Sequence, residues 1–151
     1  MKSFDVMRKT YLSLLRHLHT AVISKEKAPH KAILMLSVIE FVEEKRISSP
    51  CFMLTDELVT RFYKNWRKYV RSEKFKPVIT TPYWHMQKEP FWKLNTFDGT
   101  ELELSYSENY LKEKTFAIID KNFFLLLQKR SNSQLFKDTI KYIYLNTSAT
   151  D

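Results

Sequence analysis

Three side chains within five residues, Lys27, His30 and Lys31 in "KAPHK", stand immediately before an almost wholly apolar run, "AILMLSVIEF". A proline followed by basic residues at the mouth of a helix has an evident chemistry. The first turn of a helix leaves backbone N–H groups without partners and carries a partial positive charge, which already suits an anion. Cations placed there disfavour the helix dipole by a few tenths of a kcal/mol each, a cost offset when a bound anion compensates it. The spacing predicts donors gathered around one phosphate, with Lys25 and Lys27 adding charge from the preceding loop; the alternative is an exposed first turn whose charges face water. A second segment, "TTPYWHMQKEPFWKL" over residues 80–94, mixes aromatics, prolines and basic side chains. Thr81, Pro82, Tyr83, His85 and Lys88 are its candidates for the wall of an apolar pocket beside a charged ligand, although aromatics and prolines in a loop also serve as core plugs.

Other chemistries find little support. His17 and His19 lie two apart on an expected helix and cannot share a metal from one face. HExxH, GxSxG and Walker signatures are absent, and Cys51 is the single cysteine, so neither a disulfide framework nor a cysteine zinc site is expected. Acidic residues beside lysines, Glu43-Glu44-Lys45 and Glu73-Lys74, fall on helices or loops, where charged neighbours usually face solvent. No catalytic residue, metal or cofactor is expected of this chain.

The elements that position these residues follow from periodicity. Apolar positions at helical spacing predict a first helix from about Phe4 to Val22. Pro29 suits the start of a second, to about Glu44, whose apolar residues cover more than one face and mark it as central. Thr55-Asp56-Glu57 predicts the start of a third helix, to about Arg71, with Leu58, Phe62 and Trp66 on one stripe and Arg61, Lys64, Lys68 and Arg71 on another. That basic stripe is either a solvated face or a phosphate-binding one. Residues 72–100 hold three of the five prolines and the only glycine, predicting loops with short strands at "FWKL" and "ELELS" joined by Asp98-Gly99. Helices near 121–129 and 133–145 complete the expectation: a mainly α, α+β fold of about five helices with a short antiparallel sheet, one domain over 1–146 and a frayed tail at 147–151.

The 151 residues are 44% hydrophobic and carry 25 Lys+Arg against 17 Asp+Glu, a formal charge of +8, which favours a polyanionic partner. No run approaches the roughly 20 apolar residues of a membrane span and no signal peptide is visible. A cytoplasmic protein with no membrane partner is expected.

"APHKAILMLSVIEFVEE" resembles the PHK/PHR-plus-leucine-rich helix of the sulfur-binding domains attached to McrA-like type IV restriction endonucleases. "TPYWHMQKEPFWKL" resembles that family's second motif, Pro-Phe-x-His-Leu followed by PFW-x-Leu, and "LTDELVTRFYKNW" its ELxxxF…W helix. The likeness spans about residues 10–130. It implies a small helical domain that binds double-stranded DNA carrying a phosphorothioate, a backbone phosphate with sulfur in place of one non-bridging oxygen, in the service of restriction and defence. His30 and Lys31 would sit at the phosphorothioate, Lys31 giving its methylenes to the pocket wall and its ammonium to a backbone oxygen. Pro82 would be the hydrophobic floor, and Tyr83 a ring from the other side. The sequence departs from the family where arginine is frequent (Lys31), where tyrosine precedes the proline (Thr81), and where a small residue sometimes stands (His85). The family is commonly joined to a zinc-bearing HNH nuclease, for which no cysteine set is present here; the chain is expected to be a reader, or an accessory or truncated part of such a nuclease with the cutting domain supplied elsewhere. The competing reading is a basic protein-interaction module with no sulfur preference.

Overall fold

In the computed structural model, which describes residues 3–145, the chain forms seven α-helices and five short strands. The expected tail at 147–151 lies outside the described residues. Helix α1 (Phe4–Arg16) starts on Ser3, whose Oγ accepts from the Val6 N–H at 3.2 Å, with Asp5 in its first turn. It stops short of Val22, because residues 22–27 form a hairpin instead: β1 (Val22–Ile23) and β2 (Glu26–Lys27) pair across a two-residue turn.

Helix α2 (His30–Glu43) is the axis of the fold. Every residue from Lys31 to Ile39 is buried, and α3 (Asp56–Tyr69), α4 (Thr80–His85), α6 (Lys121–Leu127) and α7 (Arg130–Tyr144) all pack on it. Its all-round apolarity is therefore explained by neighbours on several sides. It ends in a Schellman motif: Arg46 N–H donates to the Phe41 carbonyl at 2.8 Å, Lys45 N–H to that of Val42 at 3.1 Å, and the Arg46 guanidinium lies 5.3 Å from the Phe41 ring centre. Lys45 takes the left-handed position at φ 61°, where a residue with a Cβ is strained. Lys45→Gly is accordingly expected to raise stability by about 0.5–1 kcal/mol and the melting temperature by about 2 °C, as calorimetry would show.

The sheet differs from expectation. β4 (Trp92–Thr96) occupies the "FWKL" position, but its antiparallel partner is β5 (Thr115–Ile119), which also pairs with β3 (Cys51–Phe52) to give the order β3-β5-β4. The "ELELS" segment is no strand: no strand pairs with it, and of its two leucines Leu102 packs partly on the core while Leu104 is 79% exposed. In "TFAII", by contrast, alternate residues reach the core. Three helical elements raise the count above the expected five or escape it: α4, the 3₁₀ turn Met86–Lys88, and α5 (Glu108–Lys114), capped by Ser107. Pro82 sits in the first turn of α4, where its missing N–H breaks no intrahelical bond.

The basic stripe on α3 is partly internal. Arg61 clamps Glu44 at 2.7 and 2.9 Å and reaches Glu40 at 3.4 Å, which also holds the Glu44 carboxyl below its ordinary range. Glu43 in turn takes Lys137 at 2.6 Å and the Ser133 hydroxyl at 2.8 Å. The glutamates of "EEK" thus tie helices together.

Candidate nucleic-acid interface

His30, Lys31, Thr81, Pro82, His85 and Lys88, drawn from both suggestive segments, line one groove of about 530 Å³. Its apolar wall is completed by Ile23, Ala28 and Val78, and its rim by Lys74 and Lys76. The start of α2 forms one side and α4 with the following 3₁₀ turn the other. Burial of the apolar body of α2 fixes where its first turn emerges, and the packing of α4 on α2 brings Pro82 opposite.

Two expected residues stand elsewhere. Tyr83 is fully buried, edge-on to Trp92 at 5.8 Å, with no hydrogen-bond partner for its hydroxyl. It is a core residue, because one position along a helix from Pro82 turns the side chain by about 100°, away from the groove. Lys27 lies in a neighbouring groove, its Nζ 5.3 Å from the Tyr144 ring centre.

The two residues expected at the anion act differently from their sequence reading. Lys31 is 6% exposed and donates to Glu89 Oε2 at 2.7 Å. Its ammonium is thus committed to an internal ion pair rather than free for a backbone oxygen. Glu89, with a side chain only 1% exposed, also accepts from the His19 backbone N–H at 2.9 Å and contacts His19 Nδ1 at 3.2 Å. One buried carboxylate therefore ties the start of α2 to the segments before the hairpin and after the 3₁₀ turn. Sequence reasoning missed it because the partners are 58 and 70 residues apart, and the only local signal was a lone acid in a basic segment.

His30 donates through Nε2 to the Lys76 carbonyl at 2.7 Å, which fixes its tautomer, and its ring lies 4.7 Å from that of Trp66. Burial depresses its pKa below the usual histidine value. At neutral pH His30 gives the groove a ring surface rather than a charge. His85 is pushed down as well, by burial first and then by the nearby Lys88 and Lys31 cations, and its Nε2 hydrogen-bonds the Tyr106 hydroxyl at 3.0 Å. The charge facing an anion comes from Lys74, Lys76 and Lys88, of which Lys74 leans toward Glu26 at 3.4 Å. Helix α2 has neither a side-chain cap nor an acid in its first turn, so the positive end of its dipole adds to them.

A groove with a small, mostly apolar wall, cations on the rim and neutral rings between them can hold an anion that has one weakly hydrated edge. Among the described residues no three His, Cys, Asp or Glu side chains come close enough to hold a metal, and no helix is long and apolar enough to cross a membrane. The sequence matches no protein-family profile and no characterised protein.

Proposed function

We propose that the chain is a reader of phosphorothioate-modified double-stranded DNA without an active site of its own, the sulfur lying on Pro82 between the His30 and Thr81 sides of the groove. The observation that carries the reading is that the basic helix mouth and the Pro-aromatic segment, distant in sequence, meet across one groove. Sulfur is larger, more polarisable and less hydrated than oxygen, so an apolar wall favours it, whereas a phosphate oxygen there gives up hydration without replacement. Lys74, Lys76 and Lys88 supply the salt-sensitive part of the affinity, independent of sulfur.

The test is the affinity for one duplex with and without a single Rp sulfur at fixed salt. A preference of about tenfold or more is expected, equivalent to about 1.4 kcal/mol. Lys88→Ala should weaken both duplexes alike and lower the salt slope by about 1, while Pro82→Ala should erode the sulfur preference. Equal affinity of the unaltered protein for both duplexes removes the sulfur assignment and leaves a plain basic binding face. Lys31→Ala is a poor probe, since it strands the buried Glu89 carboxylate.

A further inference from the structure

We propose that the larger groove beside the first, between the β1–β2 hairpin and the C-terminal ends of α3 and α7, carries the sugar-phosphate backbone of the same duplex. This inference rests on the DNA-reading assignment above. The groove measures about 860 Å³ and is lined by Lys25 and Lys27 from the hairpin, Lys68 from the last turn of α3 and Arg71 just past its end, and the rings of Tyr69 and Tyr144. It adjoins the first groove: Phe75 lines both, and Pro29 on this side directly precedes His30 on the other.

What marks this surface is that four cations unclaimed by carboxylates converge on one groove; other cations in no ion pair among the described residues, such as Lys9, Lys114, Lys121 and Lys129, line neither groove. Lys31, Arg61, Lys112 and Lys137 are each bound to carboxylates. Among the described residues Lys25, Lys27, Lys68 and Arg71 pair with none. Glu26, the acid in this lining, is engaged by the Ser72 hydroxyl at 2.8 Å and Lys74 at 3.4 Å. Lys68 and Arg71 also suit the negative end of the α3 dipole, which is reason enough for them in a protein with no ligand. Lys27 lies over the Tyr144 ring, which leaves Lys25 at the hairpin tip without such a reason. The hairpin turns through Ser24 at φ 50° and Lys25 at φ 69°, positions that ordinarily take Asn, Asp or Gly, so the fold accepts strain to hold a lysine at this tip. Four cations that pair with no carboxylate among the described residues, two of them seated over the Tyr69 and Tyr144 rings, continuous with a groove assigned to one backbone phosphate, fit a run of phosphates better than a single small anion.

The experiment measures affinity and salt slope for matched duplexes, with and without one Rp sulfur, using the full chain. The groove variant K25Q/K27Q/K68Q/R71Q is compared with K9Q/K114Q/K121Q/K129Q, which removes the same charge from exposed positions elsewhere. The groove variant should bind both duplexes on the order of 10–100-fold more weakly, with a salt slope smaller by about 2–4 and an unchanged sulfur-to-oxygen ratio. The control should lose less than about threefold. Equal losses in the two variants would overturn the proposal, because only overall charge would then matter; so would full affinity in the groove variant, which would assign the face to some other acidic partner. If the unaltered protein binds both duplexes equally, the sulfur reading falls while the affinity arm still decides the second groove. If it binds neither, both fall.

Discussion

Glu89→Ala is expected to destabilise the protein by about 3–5 kcal/mol, the usual cost of stranding one half of a buried ion pair. The carboxylate sits beside a Lys31 side chain only 7% exposed, and it accepts the Lys31 ammonium and the His19 N–H together. Removing it leaves a cation with neither water nor a counter-charge, and a backbone donor without an acceptor. At about 2–4 °C per kcal/mol for a chain of this size, the melting temperature should fall on the order of 10 °C. Glu89→Gln, which can still accept from the His19 N–H, should cost less. Lys31→Met combined with Glu89→Leu should recover most of the loss, because a well-packed apolar pair of similar volume often replaces a buried ion pair at little cost. Denaturant unfolding of the four proteins decides the matter. A loss under about 1 kcal/mol for Glu89→Ala would mean that the pair is solvated in solution and that the groove wall has no such anchor.

This pair also shows where a sequence stops being legible. That "PHK" and "TPYW" would each reach the surface of a groove had a local cause, a helix start and a proline-bearing turn, whereas the charges expected there did not survive folding, since the Lys31 ammonium turns to Glu89 and burial keeps His30 from charging. Which side chain would meet Lys31 had no local cause at all, since Glu89 reaches it only after α4 and the 3₁₀ turn have folded back on α2. The helices α2 and α3 were readable because their apolar patterns are long, and α3 has both a Thr55 cap and early acids. The strand partner of β4 was not, because "ELELS" has the right alternation and "TFAII" the right burial, and only the three-dimensional fold decides between period and packing. Tyr83 was misplaced for a related reason. Read as a loop, residues 80–85 let neighbouring side chains share a wall; as a helix they point Pro82 and Tyr83 to different surroundings. The same gap hid the partnership of Arg61 with Glu40 and Glu44, which converts part of an outwardly basic stripe into a helix-to-helix clamp.

Trp66→Ala is expected to cost about 3 kcal/mol and to move the titration of His30. Trp66 is 7% exposed and packs on Phe62 at 6.0 Å between ring centres and on His30 at 4.7 Å. Truncation removes an aromatic body that buries on the order of 200 Å². Because its edge lies near the surface, the loss belongs at the low end of the 3–5 kcal/mol typical of large aromatic deletions. The effect on His30 follows from the same contact. Burial is the leading reason its pKa lies below the ordinary histidine value, while its hydrogen bond to the Lys76 carbonyl acts the other way. Opening the Trp66 side to water relieves the first and leaves the second, so the His30 pKa must rise toward its ordinary value of about 6.5 or beyond. Proton NMR titration of the His30 ring in the unaltered protein, Trp66→Ala and Trp66→Phe checks this, with Trp66→Phe expected to lie between the other two. A His30 pKa that does not move in Trp66→Ala would show that its depression comes from the α2 and Phe75 sides of its seat instead. If it does rise, the variant brings a charged imidazolium into the groove at pH 6, and under the proposed DNA-reading function binding of both duplexes should strengthen there relative to pH 8, with the sulfur preference reduced, because a cation at that wall hydrates the surface proposed for sulfur.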